Sequence, residues 1–259
     1  VRRIELFLVP GEIPESYLKD KLAVTIDVLR ACTTVAYAFA NGAGSAIPAE
    51  EVEEATKLLA SLDRRSTLLC GERNGLKIKG FDLGNSPLEY TEDVVGGKTL
   101  IMASTNGTPA MARASVAKVQ LLCSFVNIGL VAEALKGAEG GTAGETDIAI
   151  VCSGRMGRMA IEDAVCGGML VHILDEAGLA DLRDGANDAA VAARDLYLRH
   201  SESLATMIEE CSHGRYLASI GFAADLKICS RLDSVPVLPV LADGVITPGD
   251  PNAIGAPKQ

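Results

Sequence analysis

The chain has 259 residues, a formal net charge of -10, 48% hydrophobic residues, 4% aromatics and no tryptophan. Such a length and apolar share support a packed globular core of one or two domains, built from Val, Leu, Ile and Ala. The acidic balance and the few aromatics oppose nucleic-acid binding, and an anionic membrane is an unfavourable partner; a small anionic ligand requires a locally positive pocket.

In chain order, residues 4–9 (IELFLV) read as a strand, and so does the run 22–26 (LAVTI), which leads into Asp27. A helix is expected over about 31–41, and an amphipathic one from Ala49, with Val52, Ala55, Leu58, Leu59 and Leu62 on one face. Residues 66–70 (STLLC) and 98–104 (KTLIMAS) read as strands, the second followed by a short helix over PAMARAS. KVQLLCS is a strand leading to the helix FVNIGLVAEAL. TDIAIVCSG is a strand, followed by the helix AIEDAVCGGMLVHILDEAG with Gly178 as its C-cap. Helical material fills most of 187–220, and VPVLPVL reads as a last strand, its two prolines arguing for an edge position. Continuously apolar strands alternating with helices imply an α/β fold with a mixed, mainly parallel sheet and helices on both faces. A single domain is expected over 1–248. GAEGGTAGETD reads as a flexible surface loop and 249–259 as a flexible tail.

Seven scattered cysteines without a Cys-x-x-Cys pair suggest neither a disulfide framework nor a zinc site, but small buried hydrophobes in a reducing cytoplasm. No signal-peptide pattern opens the sequence and no apolar run reaches membrane-spanning length. The oligomeric state is left open, a homo-oligomer included.

In sheets of this kind ligands bind beyond the carboxyl ends of the strands. Polar residues gather at nearly every such end: Asp27, Arg30, Thr33 and Thr34; Glu72 and Arg73; FDLGNSP; STNGTP, with Ser104, Thr105, Asn106, Gly107 and Thr108; Ser124 and Asn127; and SGRMGRMAIED, with Arg155, Arg158, Glu162 and Asp163. Each piece has a plain structural reading. Asp27, Thr33 or Ser104 could cap a helix. GERNG and STNGT could be turns. Arg155 and Arg158 could be solvated charges, and Glu162 with Asp163 could favour a helix start. His172, His200 and His213 show no metal-ligand spacing and read as structural or surface groups. Cys32 at a helix start is a conceivable thiolate nucleophile, yet the Cys-x5-Arg loop is absent, since Ala38 stands where Arg would. Together, arginines and helix N-termini suit a phosphate or sulfonate, and separated carboxylates suit Mg²⁺. No Walker A loop, GxGxxG or Asp-x-Asp motif occurs.

The blocks IDVLRACTT, GERNGLKIKGFDLGNSP, STNGTPAM, CSGRMGRMAIEDAVCGG and YLASIGFAADLKIC, in that order over about 22–240, resemble the 2-phosphosulfolactate phosphatase family. The resemblance implies a three-layer α/β/α fold and a Mg²⁺-dependent phosphatase that converts 2-phosphosulfolactate to 3-sulfolactate and phosphate, in methanogens a step of coenzyme M biosynthesis. Cys32 stands where the family often has Ser or Thr, which argues against an obligatory nucleophile there. The expectations are then these. Asp27 and Arg30 are catalytic. Mg²⁺ binds near Asp27 and one or both of Glu162 and Asp163, with Glu72 a weaker candidate. Arg30, Arg73 and Arg158 neutralise the anionic groups, while Thr33, Thr34 and 104–108 donate hydrogen bonds. Two rivals remain: a Mg²⁺ phosphatase for another small phosphorylated hydroxy acid, and a non-catalytic binder of an anionic metabolite.

Overall fold

The computed structural model describes residues 2–14, 16–137, 146–179 and 181–254. Its strands are β1 (Ile4–Phe7), β2 (Leu22–Ile26), β3 (Ser45–Ala49), β4 (Thr67–Arg73), β5 (Leu76–Lys77), β6 (Thr99–Ala103), β7 (Val119–Cys123), β8 (Ile148–Cys152), β9 (Pro239–Ala242) and β10 (Val245–Pro248). Its α-helices are α1 (Ala31–Ala40), α2 (Val52–Ala60), α3 (Glu92–Val95), α4 (Gly107–Ala114), α5 (Ile128–Gly137), α6 (Ile161–Glu176), α7 (Asp188–His200), α8 (Leu204–Glu210), α9 (Ser212–Ser219) and α10 (Ala223–Cys229).

The strands form one mixed sheet in the order β1-β8-β2-β7-β9-β10-β3-β6-β4-β5. It consists of two parallel blocks, β1-β8-β2-β7 and β3-β6-β4, joined by the antiparallel hairpin β9–β10. Helices cover both faces, so the three-layer α/β/α arrangement expected from the alternation of apolar runs is present.

Packing explains how the two blocks share one site. In the first block Leu6, Val24, Ile26 and Ile150 face a core completed by α5, α6 and α7. The opposite face is made of small residues, Ala23 and Ala149 with Val151, and takes Ala114 of α4. In the second block Ala46, Leu100 and Met102 face Ala31, Val35, Ala38 and Phe39 of α1, while Ala49, Leu69, Ile101 and Ala103 carry Ala55 of α2. Thus α1 leaves the first block and covers the second, and α4 leaves the second and covers the first. Their N-terminal ends meet. Close approach also recurs in α6, where a Cβ on Gly168 would lie 1.9 Å from Ala193 O, so only glycine lets α7 pack there.

The C-cap at Gly178 is a Schellman arrangement: φ is +71°, Leu179 N–H donates to Leu174 O at 3.0 Å, and Gly178 N–H to Asp175 O at 2.8 Å. The proline-based edge expectation is corrected. Strand β9 lies inside the sheet between β7 and β10. Pro239 is its first residue and pairs with Pro248 at the open end of the hairpin, where a missing N–H leaves the ladder intact. The reversal is an Asp243–Gly244 turn with φ of +52° and +79°, the type I′ geometry that matches strand twist. The helix expected from Ala49 begins later, because Ala49 ends β3. Most of the glycine-rich stretch after Lys136, and residues 255–259, lie outside the described residues. The start of the expected tail is packed: Gly249 N–H donates to Leu238 O at 2.7 Å, Pro251–Ala253 form a 3-10 turn, and Ile254 is buried in the largest core.

Candidate active site

A cavity of about 250 Å³ opens where the ends of β2, β4 and β6 and the loop after β8 meet the start of α9. That is smaller than a drug-sized pocket and suits a small polar molecule. Its walls include Asp27, Arg30, Glu72, Ser104, Arg155 and His213.

Asp27 follows the all-buried strand β2 and is itself 4% exposed. Its Oδ1 accepts the Ala31 N–H at 2.9 Å and its backbone carbonyl accepts Cys32 N–H at 3.1 Å, so it does anchor the start of α1 from four residues upstream. The capping reading is therefore realised, on a side chain that also lines the cavity. Oδ2 lies against Gly107 at the start of α4. Burial pushes the Asp27 carboxyl up from 3.8 to about 6; the Ala31 N–H and the nearby His213 oppose that rise, and Glu72 adds to it.

Gly107 is what lets the two helix starts meet. An added Cβ would stand 2.5 Å from Ala31 Cβ and 2.7 Å from Asp27 Oδ2. Gly107→Ala is expected to cost about 1–3 kcal/mol through overpacking and to displace Asp27. Thermal melts should drop by several degrees and activity should fall with them. A wild-type melt with full activity would contradict this account of the contact.

The other carboxylates divide by what holds them. Asp163 accepts Val28 N–H (2.9 Å) on Oδ1, and Ser153 Oγ–H (2.9 Å) and Gly154 N–H (3.0 Å) on Oδ2. Burial, then the charges of Asp27 and Glu162, raise its carboxyl well above the usual carboxylate range. Glu72 accepts Thr105 N–H (2.6 Å) on Oε1, and Gly75 N–H (2.7 Å) and Thr105 Oγ–H (3.1 Å) on Oε2. Both residues, expected near metal, have both oxygens engaged. They clamp loops: Asp163 ties the ends of β2 and β8 to α6, and Glu72 ties β4 to the loop after β6. Glu162 is 2% exposed and meets His213 Nδ1 through Oε1 at 3.0 Å.

The expected anion-binding groups also separate. Arg30 is buried, pairs with Asp225 at 2.8 Å, donates to Gly75 O at 2.6 Å and stacks on Phe222 at 4.2 Å. Its charge is already matched, although it lines the cavity. Arg73 points elsewhere, donating to Glu50 O and Glu72 O. Thr33 and Thr34 give their hydroxyl protons to Val28 O and Asn85 O, each at 2.9 Å, and are structural. Ser104 and Thr108 bond each other reciprocally across the start of α4. Thr105 serves Glu72, and Asn106 accepts Met156 N–H at 3.0 Å. Ser104, Thr105 and Asn106 line the cavity. Arg158 is exposed and lines a neighbouring cavity.

The residues missed from sequence are His213, Tyr216 and Arg155. His213 and Tyr216 reach the cavity only because α9 packs there, which no local motif announces. Arg155 lay in a block already singled out, and its pairing with a turn was the available signal. A Cys32 thiolate is disfavoured: the residue is buried, and burial, then Asp27, push its thiol well above its ordinary range. All seven cysteines are free and buried.

The starts of α1, α4, α6 and α9 all reach this region, placing helix-dipole positive ends around buried carboxylates. Even so, the carboxyl groups of Asp27, Glu72, Glu162, Asp163 and Asp225 outnumber the cationic side chains Arg30, Arg155, Arg158 and His213, although burial opposes ionisation of Asp27 and Asp163. A dication would balance that surplus beside an anionic ligand. Among the described residues no three of His, Cys, Asp and Glu are gathered to hold a metal by themselves. A Mg²⁺ ion held here would have to take one or two carboxylates and fill its shell with water and substrate oxygens.

The family model for 2-phosphosulpholactate phosphatase matches residues 7–244. The chain is similar to a probable 2-phosphosulfolactate phosphatase of Thermotoga petrophila, at 39% identity over 90% of this chain and 94% of the relative. Proteins of the same description from Caldicellulosiruptor saccharolyticus (41% identity, 86% and 90% covered) and Symbiobacterium thermophilum (37%, 90% and 96%) match comparably. The chain therefore belongs to the 2-phosphosulfolactate phosphatase family.

Proposed function

We propose that this protein is a phosphoric monoester hydrolase that converts 2-phosphosulfolactate to 3-sulfolactate and phosphate. The observation that carries the reading, within this family, is the small cavity in which the buried carboxylate Asp27 sits between two touching helix starts. Asp27 and Glu162 would hold Mg²⁺, since neither has both oxygens tied to backbone N–H groups as Glu72 does. When bound, Mg²⁺ supplies positive charge against the phosphoryl oxygens. The chain's own residues do the rest. The starts of α1 and α4 direct their positive ends toward the phosphoryl group. Asp163 and Glu72 fix the loops that carry Asp27 and Ser104, so the donors need little reorganisation when charge develops. His213, held by Glu162, faces the same cavity and is placed to exchange a proton with the departing oxygen or the entering water.

Seven buried free cysteines support work in a reducing cytoplasm. Among the described residues no helix is long and apolar enough to cross a membrane.

The test is phosphate release from a panel of small phosphomonoesters, with chelator and after Mg²⁺ is restored. Release from 2-phosphosulfolactate that stops with chelator and returns with Mg²⁺ is expected. Turnover of other hydroxy-acid phosphates alone would replace the substrate, and anion binding without turnover would replace the enzyme reading. Mg²⁺ should also stabilise the folded chain, by about 2.7 kcal/mol at a hundred times its Kd, and so raise the melting point. The rise should be larger at pH 8 than at pH 5, because protons compete for Asp27. An equal rise at both values would remove Asp27 from the metal.

A further inference from the structure

The loop after β8 is a built feature. Arg155 N–H donates to Arg158 O at 2.7 Å and Arg158 N–H to Arg155 O at 3.0 Å. Between them Met156 and Gly157 have φ of +51° and +71°, a type I′ reversal. Glycine adopts this at no steric cost, but methionine is strained there, and Met156 is also 67% exposed. The turn is pinned at two points, by Gly154 N–H on Asp163 Oδ2 and by Met156 N–H on Asn106 Oδ1. It thus fixes the backbone of Arg155 at the cavity wall. The guanidinium stacks 4.6 Å from the Tyr216 ring centre and donates to Ser212 Oγ at 3.4 Å. Arg155 forms no ion pair among the described residues. Of the two arginines lining the cavity, Arg30 is paired with Asp225, and Arg155 is the one without an ion-pair partner among the described residues.

We propose that Arg155 is the specificity-determining residue for the sulfonate of the substrate. This rests on the functional reading above and adds to it which group discriminates the substrate. The carboxylate carbon and the phosphoester oxygen are both bonded to C2, so the carboxylate stays close to the phosphoester. The sulfonate on C3 reaches one bond further, toward the wall. A sulfonate is a fixed monoanion with three acceptor oxygens, and the planar guanidinium fork matches two of them. Tyr216 presents the fork already oriented, which lowers the ordering cost of binding.

The test compares 2-phosphosulfolactate with 2-phospholactate, which lacks only the sulfonate. In the wild type, kcat/KM should favour the sulfonated substrate. In Arg155→Ala that preference should fall about tenfold or more, mainly through KM, and Arg155→Lys should restore part of it. If the alanine variant melts early, Arg155→Gln carries the same comparison with the side-chain stem kept on Tyr216. A folded variant that retains the wild-type preference overturns the assignment of Arg155 and leaves the phosphatase reading standing. A wild type that turns over both substrates without preference also overturns the Arg155 assignment alone, whereas a wild type that releases no phosphate from 2-phosphosulfolactate overturns the functional reading, so the two failures are told apart.

Discussion

Asp27→Asn should lower kcat by at least about a hundredfold and, without metal, make the protein more stable at pH 8. Both signs come from one environment. Burial raises the folded carboxyl from 3.8 to about 6, so the folded chain holds this proton more tightly than the unfolded chain does. Stability from that group is then complete below about pH 4 and lost as pH rises through about 6. A rise of that size corresponds to roughly 3 kcal/mol. Asparagine removes the buried charge and the repulsion from Glu72 and Asp163, while its side-chain oxygen still accepts the Ala31 N–H. At about 2–4 °C per kcal/mol, the variant should melt about 5 °C or more above the wild type at pH 8 without metal. The two should converge near pH 4, and Mg²⁺ should raise the wild type while leaving the variant unmoved. Melts at both pH values, with and without Mg²⁺, check this. A variant that melts below the wild type at pH 8 would mean that the helix-start role outweighs the buried charge.

The fold was largely legible because its strands are continuous apolar runs with helices between them, and that pattern is set by burial on both faces. What escaped was set by less local physics. Asp243-Gly244 is a strong hairpin signal, yet the prolines around it pointed to an edge; only the pairing of Pro239 with Pro248 shows why they fit inside the sheet. The site was legible as a set of loops and illegible as a set of roles. Asp27, Glu72, Ser104 and Asp163 do converge, but sequence cannot say which oxygens are engaged by backbone N–H groups. That decides between clamp and ligand for Glu72 and Asp163. Arginines show the same limit. Asp225 lies 195 positions from Arg30, so its neutralising effect is invisible in the motif that contains Arg30.

Replacing Arg30 should therefore be felt first in folding. The Arg30 and Asp225 side chains are each 2% exposed and meet at 2.8 Å, and Ser86 Oγ–H occupies the other Asp225 oxygen at 2.7 Å. Arg30 also holds Gly75 O in the β4–β5 turn and covers Phe222, so one side chain joins the start of α1 to the cavity wall and to α10. Removing either partner leaves an uncompensated buried charge, a loss of about 3–5 kcal/mol. Arg30→Ala and Asp225→Asn should both melt roughly 10 °C or more below the wild type and lose activity in parallel. The double variant Arg30→Met with Asp225→Leu should recover much of the stability, since an apolar pair of similar size avoids desolvating two charges. A guanidinium whose main task was to grip the substrate would behave otherwise: Arg30→Ala would keep the wild-type denaturation midpoint and raise KM, and Asp225→Asn would change little. Urea denaturation of the three variants, read beside their KM values, separates the two outcomes, and the buried pair predicts large stability losses in both single variants and a smaller one in the apolar double.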